Sequence, residues 1–450
     1  MKIVVLLLLT FTLALHATET DWKAGAAKAR ITPQEPMWMA GYSSRTKPAE
    51  GTALDLFAKA LALEDAHGQH FVFVTLDLIG VPRTLRTALE KRLEEAYHLS
   101  PDAFLLNASH THCGPEYRVA GKTGIFAEFG PPEQAKLAEA YGQFLEDTLF
   151  KLVGAAIAQL TPAQLTYHHA RCGFAMNRRL PVEGVFHNAP NPEGPVDQAV
   201  PVLRVTGVDG QIRAILFGYA CHNTTLSFYQ WCGDYAGYAQ EAIEAAHPGA
   251  IALFVQGCAG DQNPYPRGKI ELAQFHGRTL ATAVEAALTS TAQPVSGPLE
   301  KKLVDVEIDF APAPSRAELD EQARAKPTWP GRHAQRLLDQ LDRGEKLPEH
   351  YAYPVQVVRF GHSLTFVGLA GETVVDYSLR LKREIAGSPM WVAGYCNDVM
   401  AYIPSRRVLE EGGYEARDAM NFSTLPGPWA PNVEERIVGE VHTLLRSLTP

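Results

Sequence analysis

The chain has 450 residues, of which 46% are hydrophobic and 20% are charged, as in an ordinary folded globular protein. Its formal net charge is −9, and no block of like charge stands out. This argues against nucleic acid as a partner, because binding to phosphates requires a concentrated basic surface.

The first 17 residues have the pattern of a secretory signal peptide. The basic start Met1-Lys2 precedes an apolar run from Ile3 to Leu15, and the small residue Ala17 follows. This run is short for a membrane span, and no later segment reaches the ~18 apolar residues that a transmembrane helix requires. We therefore expect an exported protein, periplasmic or extracellular, whose mature chain begins at about residue 18.

The mature sequence alternates strand-like and helix-like segments along its length. Strands are predicted at residues 54–63, 70–78, 103–108, 200–205, 212–220, 250–255, 356–360 and 364–369. Helices are predicted at residues 82–99, 132–160, 236–246, 272–288, 373–385 and 431–448. Residues 311–350 are rich in proline and charge, and we interpret them as a helical insertion on the surface, a pair of solvated helices rather than a lid. The alternation predicts an α/β fold, a single layered domain over residues 18–450 with mixed β-sheets flanked by helices.

The six cysteines show no closely spaced pair of the Cys-x-x-Cys type; they are residues 113, 172, 221, 232, 258 and 396. Export would permit disulfides. However, a mature chain of this length can bury a sufficient core without them. We therefore predict mostly free, buried thiols.

Four polar clusters follow the ends of predicted strands. They are Asn107 to Pro115, Tyr219 to Thr225, Gly368 to Glu372, and Gly394 to Tyr402. Ligands of α/β sheets bind at strand ends, because side chains there face a crevice instead of the core. On an extended segment His110 and His112 point to the same side, so one can bind a metal while the other acts as an acid or base.

Each cluster alone has a simpler interpretation. The two histidines can be a satisfied polar pair, Glu372 a residue stabilised by a helix N-terminus, and Tyr402 a buried aromatic side chain. Their occurrence together, between glycine-rich turns, indicates a functional site.

These clusters resemble the catalytic domain of the neutral (alkaline, non-lysosomal) ceramidases, and the resemblance runs from about Gly25 to Trp429. The matching segments are Gly25 to Pro33, Ser109 to Pro115, Cys232 to Ala239, Gln256 to Asp261, and the tyrosines Tyr402 and Tyr414, twelve residues apart after Asn397. Several ordered motifs in one chain make the resemblance specific.

The resemblance implies a zinc site at the strand ends. The residues that match the Zn²⁺ ligands are His110, His222, Glu372 and Tyr402. The residues that match the lining of the reaction centre are His112, Arg178 and Tyr414. Imidazole, carboxylate and phenol groups suit Zn²⁺, which would lower the pKa of a water molecule to about 7 and polarise the substrate carbonyl. The expected function is a zinc-dependent amide hydrolase that acts on a small-molecule or lipid N-acyl substrate.

Two departures from the family pattern leave alternatives open. Asn263 stands where the family has a catalytic serine, and an amide can orient water or a carbonyl but cannot accept and return a proton. Family members usually carry a C-terminal immunoglobulin-like domain, which we do not expect here, because the sequence stops at Pro450. The alternatives are a zinc esterase or deacetylase acting on another acylated substrate such as carbohydrate, and a zinc-retaining binding protein without turnover.

Overall fold

The structure, a computed structural model, describes residues 21–117, 131–324 and 328–448. The predicted signal peptide, residues 1–17, lies outside these ranges. Within them, no helix combines the length and the apolar character that crossing a membrane requires.

The elements follow one another along the chain as strands and helices in alternation. The strands are β1 (Trp22–Arg30), β2 (Phe57–Asp65), β3 (His70–Leu76), β4 (Phe104–Ala108), β5 (Thr161–Arg171), β6 (Ala175–Val182), β7 (Val185–Asn191), β8 (Ala199–Gly207), β9 (Ile212–Tyr219), β10 (Ile251–Gln256), β11 (Gln262–Pro264), β12 (Gln293–Val295), β13 (Leu299–Asp309), β14 (His350–Phe360), β15 (Leu364–Leu369), β16 (Glu372–Thr373), β17 (Met390–Ala393) and β18 (Tyr402–Ile403). The α-helices are α1 (Arg83–Tyr97), α2 (Pro132–Ala158), α3 (Asp234–Ala246), α4 (Ile270–Thr289), α5 (Arg316–Ala323), α6 (Trp329–Asp342), α7 (Val375–Glu384), α8 (Arg406–Glu411) and α9 (Val433–Ser447).

Two mixed sheets form the centre of the molecule. The first has the strand order β10-β9-β8-β5-β1-β2-β3-β4, with β12 added beside β5, and the second has the order β13-β14-β15-β17. Most neighbours are antiparallel, but β3 with β4, β9 with β10, and β15 with β17 are parallel. The carboxyl ends of these parallel pairs supply the segments that carry the site.

Alternate apolar side chains along each strand face opposite sides of the sheet, and this explains the layered packing. On β2, Ala58, Ala60 and Ala62 face a core that includes α1 and α2, whereas Leu61 and Leu63 face the core between the two sheets. Helices α3 and α4 cover β8 to β10, and α7 and α9 cover the outer face of the second sheet. Burial of each large apolar side chain contributes about 1.5–3 kcal/mol. The α/β layered architecture with mixed sheets flanked by helices is confirmed.

The first sheet curves so strongly that its edge strands β4 and β10 meet. The backbone amide of Gln256 donates to Asn107 Oδ1 (2.8 Å), and Asn107 Nδ2 donates to the carbonyl of Gln256 (3.3 Å). Asn107 Nδ2 also donates to the carbonyl of Gly394, just after β17 (2.8 Å). One buried amide therefore connects the ends of three strands.

The described residues between β13 and β14 include the helices α5 and α6, within the segment 311–350 for which helices were predicted. Helices α5 and α6 share a small apolar cluster of their own, which includes Leu319 and Leu337. His333 of α6 donates from Nε2 to the carbonyl of Leu425 (2.7 Å) and attaches the insertion to the segment after Tyr414. All six cysteines are free and buried, which confirms the prediction for the thiols.

Candidate metal centre

Four side chains from distant parts of the sequence converge at the strand ends. Nε2 of His110 and Nε2 of His222 lie 3.1 and 3.2 Å from Oε2 of Glu372. The hydroxyl of Tyr402 lies 3.2 Å from Nε2 of His222. His110 follows β4 and His222 follows β9, while Glu372 and Tyr402 are paired residues of β16 and β18.

Backbone carbonyls orient both imidazoles toward the centre. Nδ1 of His110 donates to the carbonyl of Ile79, and Nδ1 of His222 donates to the carbonyl of Ala259, each at 2.6 Å. A carbonyl only accepts, so Nδ1 carries the proton and Nε2 presents its lone pair to Glu372. Metal-binding histidines are held in this way, with the second ring nitrogen bonded to a carbonyl or carboxylate.

Glu372 Oε2 has no hydrogen-bond donor among the described residues, although it is buried. Burial lowers the pKa of His222 to about 3, and Arg178 acts in the same direction, so this imidazole is neutral. A buried carboxylate that faces two nitrogen lone pairs lacks a cation between them.

The donor set fits Zn²⁺. Bonds of about 2.0–2.1 Å in a tetrahedron place ligand atoms about 3.4 Å apart, close to the separations observed. Two imidazole nitrogens, one carboxylate oxygen and one phenol oxygen are donors that zinc accepts.

His112 lies beside the centre. Its Nε2 is 3.1 Å from Nε2 of His110, and its ring packs on Tyr42 with centroids 4.7 Å apart. Burial, and then the neighbouring His110, lower the pKa of His112 well below its usual range. The two histidines are close, as predicted, but the extended backbone assumed for them is wrong, because His110 has a φ of 63° and ends the strand in a turn.

Arg178 of β6 connects the other predicted residues. Its guanidinium donates to the hydroxyl of Tyr402 (3.0 Å), to Oδ1 of Asn263 (3.3 Å) and to Oε1 of Glu415 (2.8 Å). The ring of Tyr414 lies 5.8 Å from Arg178 Cζ. The structure thus brings together all the site residues that the sequence indicated.

Asn263 is fixed by two donors on the same oxygen. Its Oδ1 accepts from Arg178 Nη1 and from the hydroxyl of Thr224 (3.2 Å). Since Oδ1 faces these donors, the Nδ2 group faces the opposite way, and among the described residues it has no acceptor. Thr224 was missed in the sequence, although it belongs to the same polar cluster as His222.

Glu415 is a second residue that the sequence analysis missed. It is buried, and its two oxygens accept from Arg178 (2.8 Å) and Arg179 (2.6 Å). The only signal was its position next to Tyr414, because pairing with residues more than 230 positions away leaves no local pattern.

Replacement of Glu415 by glutamine should destabilise the fold by about 3 kcal/mol, because two buried guanidinium groups lose their shared carboxylate. Urea unfolding monitored by circular dichroism measures this change. The control is Glu410→Gln, which breaks an exposed pair with Arg406 and should cost at most about 0.5 kcal/mol. Equal effects of the two substitutions would contradict the role given to Glu415.

Comparisons with known proteins agree with this geometry. Residues 22–301 match the family described as neutral/alkaline non-lysosomal ceramidase, N-terminal. The crystal structure of neutral ceramidase from Pseudomonas aeruginosa superposes with a TM-score of 0.74 at 21% identity, covering 96% of this chain and 76% of that one. A structure of ceramidase complexed with C2 gives a TM-score of 0.73 at 20% identity, with the same coverage. No curated protein sequence matches the chain. The family match covers more than half of the sequence, and the two structures establish the fold.

Proposed function

The chain belongs to the neutral/alkaline non-lysosomal ceramidase family, and from this premise we propose that it is a zinc-dependent hydrolase of the amide bond in a lipid N-acyl substrate. The observation that supports a metal at this position is the buried Oε2 of Glu372, which faces the lone pairs of His110 and His222. The proposed ligands are therefore His110, His222, Glu372 and Tyr402.

When bound there, Zn²⁺ would supply a water nucleophile active near neutral pH and an electrophile for the carbonyl oxygen. His112 is the group beside this position that can take a proton from water and give one to the leaving nitrogen. Arg178 fixes the phenol of Tyr402 and the amide of Asn263 relative to each other. The half-buried Tyr414 packs against Tyr402, with ring centroids 5.4 Å apart, and is the group that we place against the substrate.

Asn263 has a role that its amide group can fulfil without a serine. With Oδ1 held by Arg178 and Thr224, the Nδ2 group is the donor that remains for the substrate carbonyl. A preorganised donor of this kind stabilises the oxyanion that develops in the transition state. Since water is the nucleophile in this proposal, no acyl-enzyme accumulates during turnover.

Asn263→Ala should therefore lower kcat by about 10²-fold while the protein keeps its zinc, because one oxyanion donor is lost. Asn263→Asp is the sharper variant, since it retains the acceptor oxygen but replaces the NH₂ donor, and it should be at least as slow. Asn263 lies on β11, which forms a three-stranded sheet in the order β11-β6-β7. The control is Asn188→Ala at an exposed position of β7 in that sheet, which should retain the normal rate. Steady-state kinetics and metal analysis check these results, and a normal rate for Asn263→Ala or a burst of acylated enzyme would contradict them.

A substrate screen on the purified protein tests the proposed function as a whole. We expect about one zinc per chain and hydrolysis of N-acyl lipids that stops on chelation. Hydrolysis of O-acyl substrates alone would instead indicate an esterase or deacetylase, and zinc without any hydrolysis would indicate a binding protein. On its N-terminal sequence we also propose that the protein is exported, and its recovery from the periplasm or medium tests that point.

A further inference from the structure

The side chain of Tyr395 is buried beside the metal centre without a hydrogen-bond partner. Its ring centroid lies 4.6 Å from that of His110 and 6.1 Å from that of His222. Tyr395 is fully buried, and among the described residues no group forms a hydrogen bond with its hydroxyl. A buried hydroxyl without a partner destabilises a protein, so its presence here requires an explanation.

The backbone of Tyr395 is also held in an unfavourable conformation. Its φ of 55° lies in the left-handed region, which is strained for a bulky aromatic residue. Its amide donates to the carbonyl of Gly371 (3.0 Å), and its carbonyl accepts from the amide of Ala108 (3.3 Å). The residue is thus fixed between the turn that leads to Glu372 and the strand that leads to His110.

Glu372 carries the complementary group, a buried carboxylate oxygen. Its Oε2 has no donor among the described residues, just as the Tyr395 hydroxyl has no acceptor. Burial is the main cause that raises the pKa of Tyr395 well above its usual value, and the Glu372 carboxylate is the next. The same buried centre therefore contains one donor without an acceptor and one acceptor without a donor.

We propose that Tyr395 is a positioning residue of the metal centre, whose hydroxyl donates to the Glu372 carboxylate, directly or through one buried water, when the metal is bound. This inference rests on the proposed zinc-dependent function. Groups that hydrogen-bond to metal ligands hold them in their binding orientation, and their removal commonly lowers metal affinity 10–100-fold. Without metal, the hydroxyl has no hydrogen bond to any residue that the structure describes, so its removal should not weaken that state.

The test is Tyr395→Phe, with Tyr141→Phe as the matched control. Tyr141 is buried in α2, and its hydroxyl donates to the carbonyl of Ile31 (2.6 Å), outside the centre. Zinc affinity is measured by competition with a chelator, and the melting temperature is measured on the metal-free proteins. Tyr395→Phe should bind zinc about 10–100-fold more weakly and melt, without metal, at or above the wild-type temperature. Tyr141→Phe should bind zinc normally and melt at a lower temperature.

Two results would overturn the inference. One is a zinc affinity of Tyr395→Phe within twofold of wild type. The other is a metal-free melting temperature of Tyr395→Phe lowered as much as that of Tyr141→Phe, because the hydroxyl would then be bonded without metal. A wild-type protein that binds no zinc would refute the proposed function itself, and the wild-type titration shows this before the variants are compared.

Discussion

His222→Ala should lose its metal and its activity together. The substitution removes one of two imidazoles that face Glu372 and leaves the buried carboxylate with a single nitrogen donor beside the phenol of Tyr402. The four proposed ligands are thereby reduced to three, of which only one is an imidazole, so the affinity for zinc should fall. Substitution of residues that only support metal ligands already lowers metal affinity or activity about 10–100-fold. Loss of a ligand itself should therefore reduce activity by more than about 100-fold. Metal analysis and kinetics on the same preparation measure both effects, and His110→Ala should behave alike.

The control for both ligand substitutions is His333→Ala. His333 is a buried histidine of the insertion that donates to the backbone carbonyl of Leu425, and it is not one of the proposed ligands. This variant should lose stability but retain zinc and rate. If His222→Ala or His110→Ala kept full zinc and full activity, the assignment of that residue as a ligand would be wrong.

Arg178→Lys should reduce kcat by about 10³-fold while the protein retains its zinc. A lysine ammonium cannot reproduce the planar arrangement of donors that contacts Tyr402, Asn263 and Glu415 together. The substitution therefore releases the orientation of both Tyr402 and Asn263, which is a larger loss than that of a single donor. Steady-state kinetics with parallel metal analysis check this expectation.

Arg179→Lys is the matched control for that change. Arg179 is the next residue, it is equally buried, and it shares Glu415 as a partner. Its other acceptors are Glu411 and the carbonyl of Gly412, which lie outside the centre. A loss of rate in Arg179→Lys as large as in Arg178→Lys would show that the effect comes from the ion-pair network and not from contacts with the site.

The strongly periodic elements could be predicted from the sequence, and β1 shows why others could not. Its residues are mostly alanine, glycine and lysine, which have a low strand propensity. The alanine and glycine residues are small because α2 lies directly on the strand. A Cβ atom at Gly25 would collide with the carbonyl oxygen of Ala156. That requirement arises only when the helix is in place, so no local pattern indicates it.

The residues of the candidate site also differ in whether the sequence around them indicates a function. Proposed ligands such as His110 and Glu372 stand in polar clusters at strand ends, where the sequence indicates a function. Glu415 and Tyr395 act through partners from other strands, and their neighbours in the sequence give no sign of it. The sequence therefore indicates the residues proposed to line the reaction centre, Arg178 among them, but not Thr224, Glu415 or Tyr395, which contact these residues.

The convergence of distant strand ends also determines when a metal can be held. A chain is synthesised from its N-terminus at about 5–20 residues per second, so His110 and His222 emerge well before Glu372 and Tyr402. A nascent chain that has completed only the first sheet offers two imidazoles, fewer than a stable zinc site requires. Stable uptake therefore follows release of nearly the whole polypeptide from the ribosome. On the proposed export route, the signal sequence engages the secretion machinery before the centre exists, so we expect the proposed ion to be acquired in the compartment of destination.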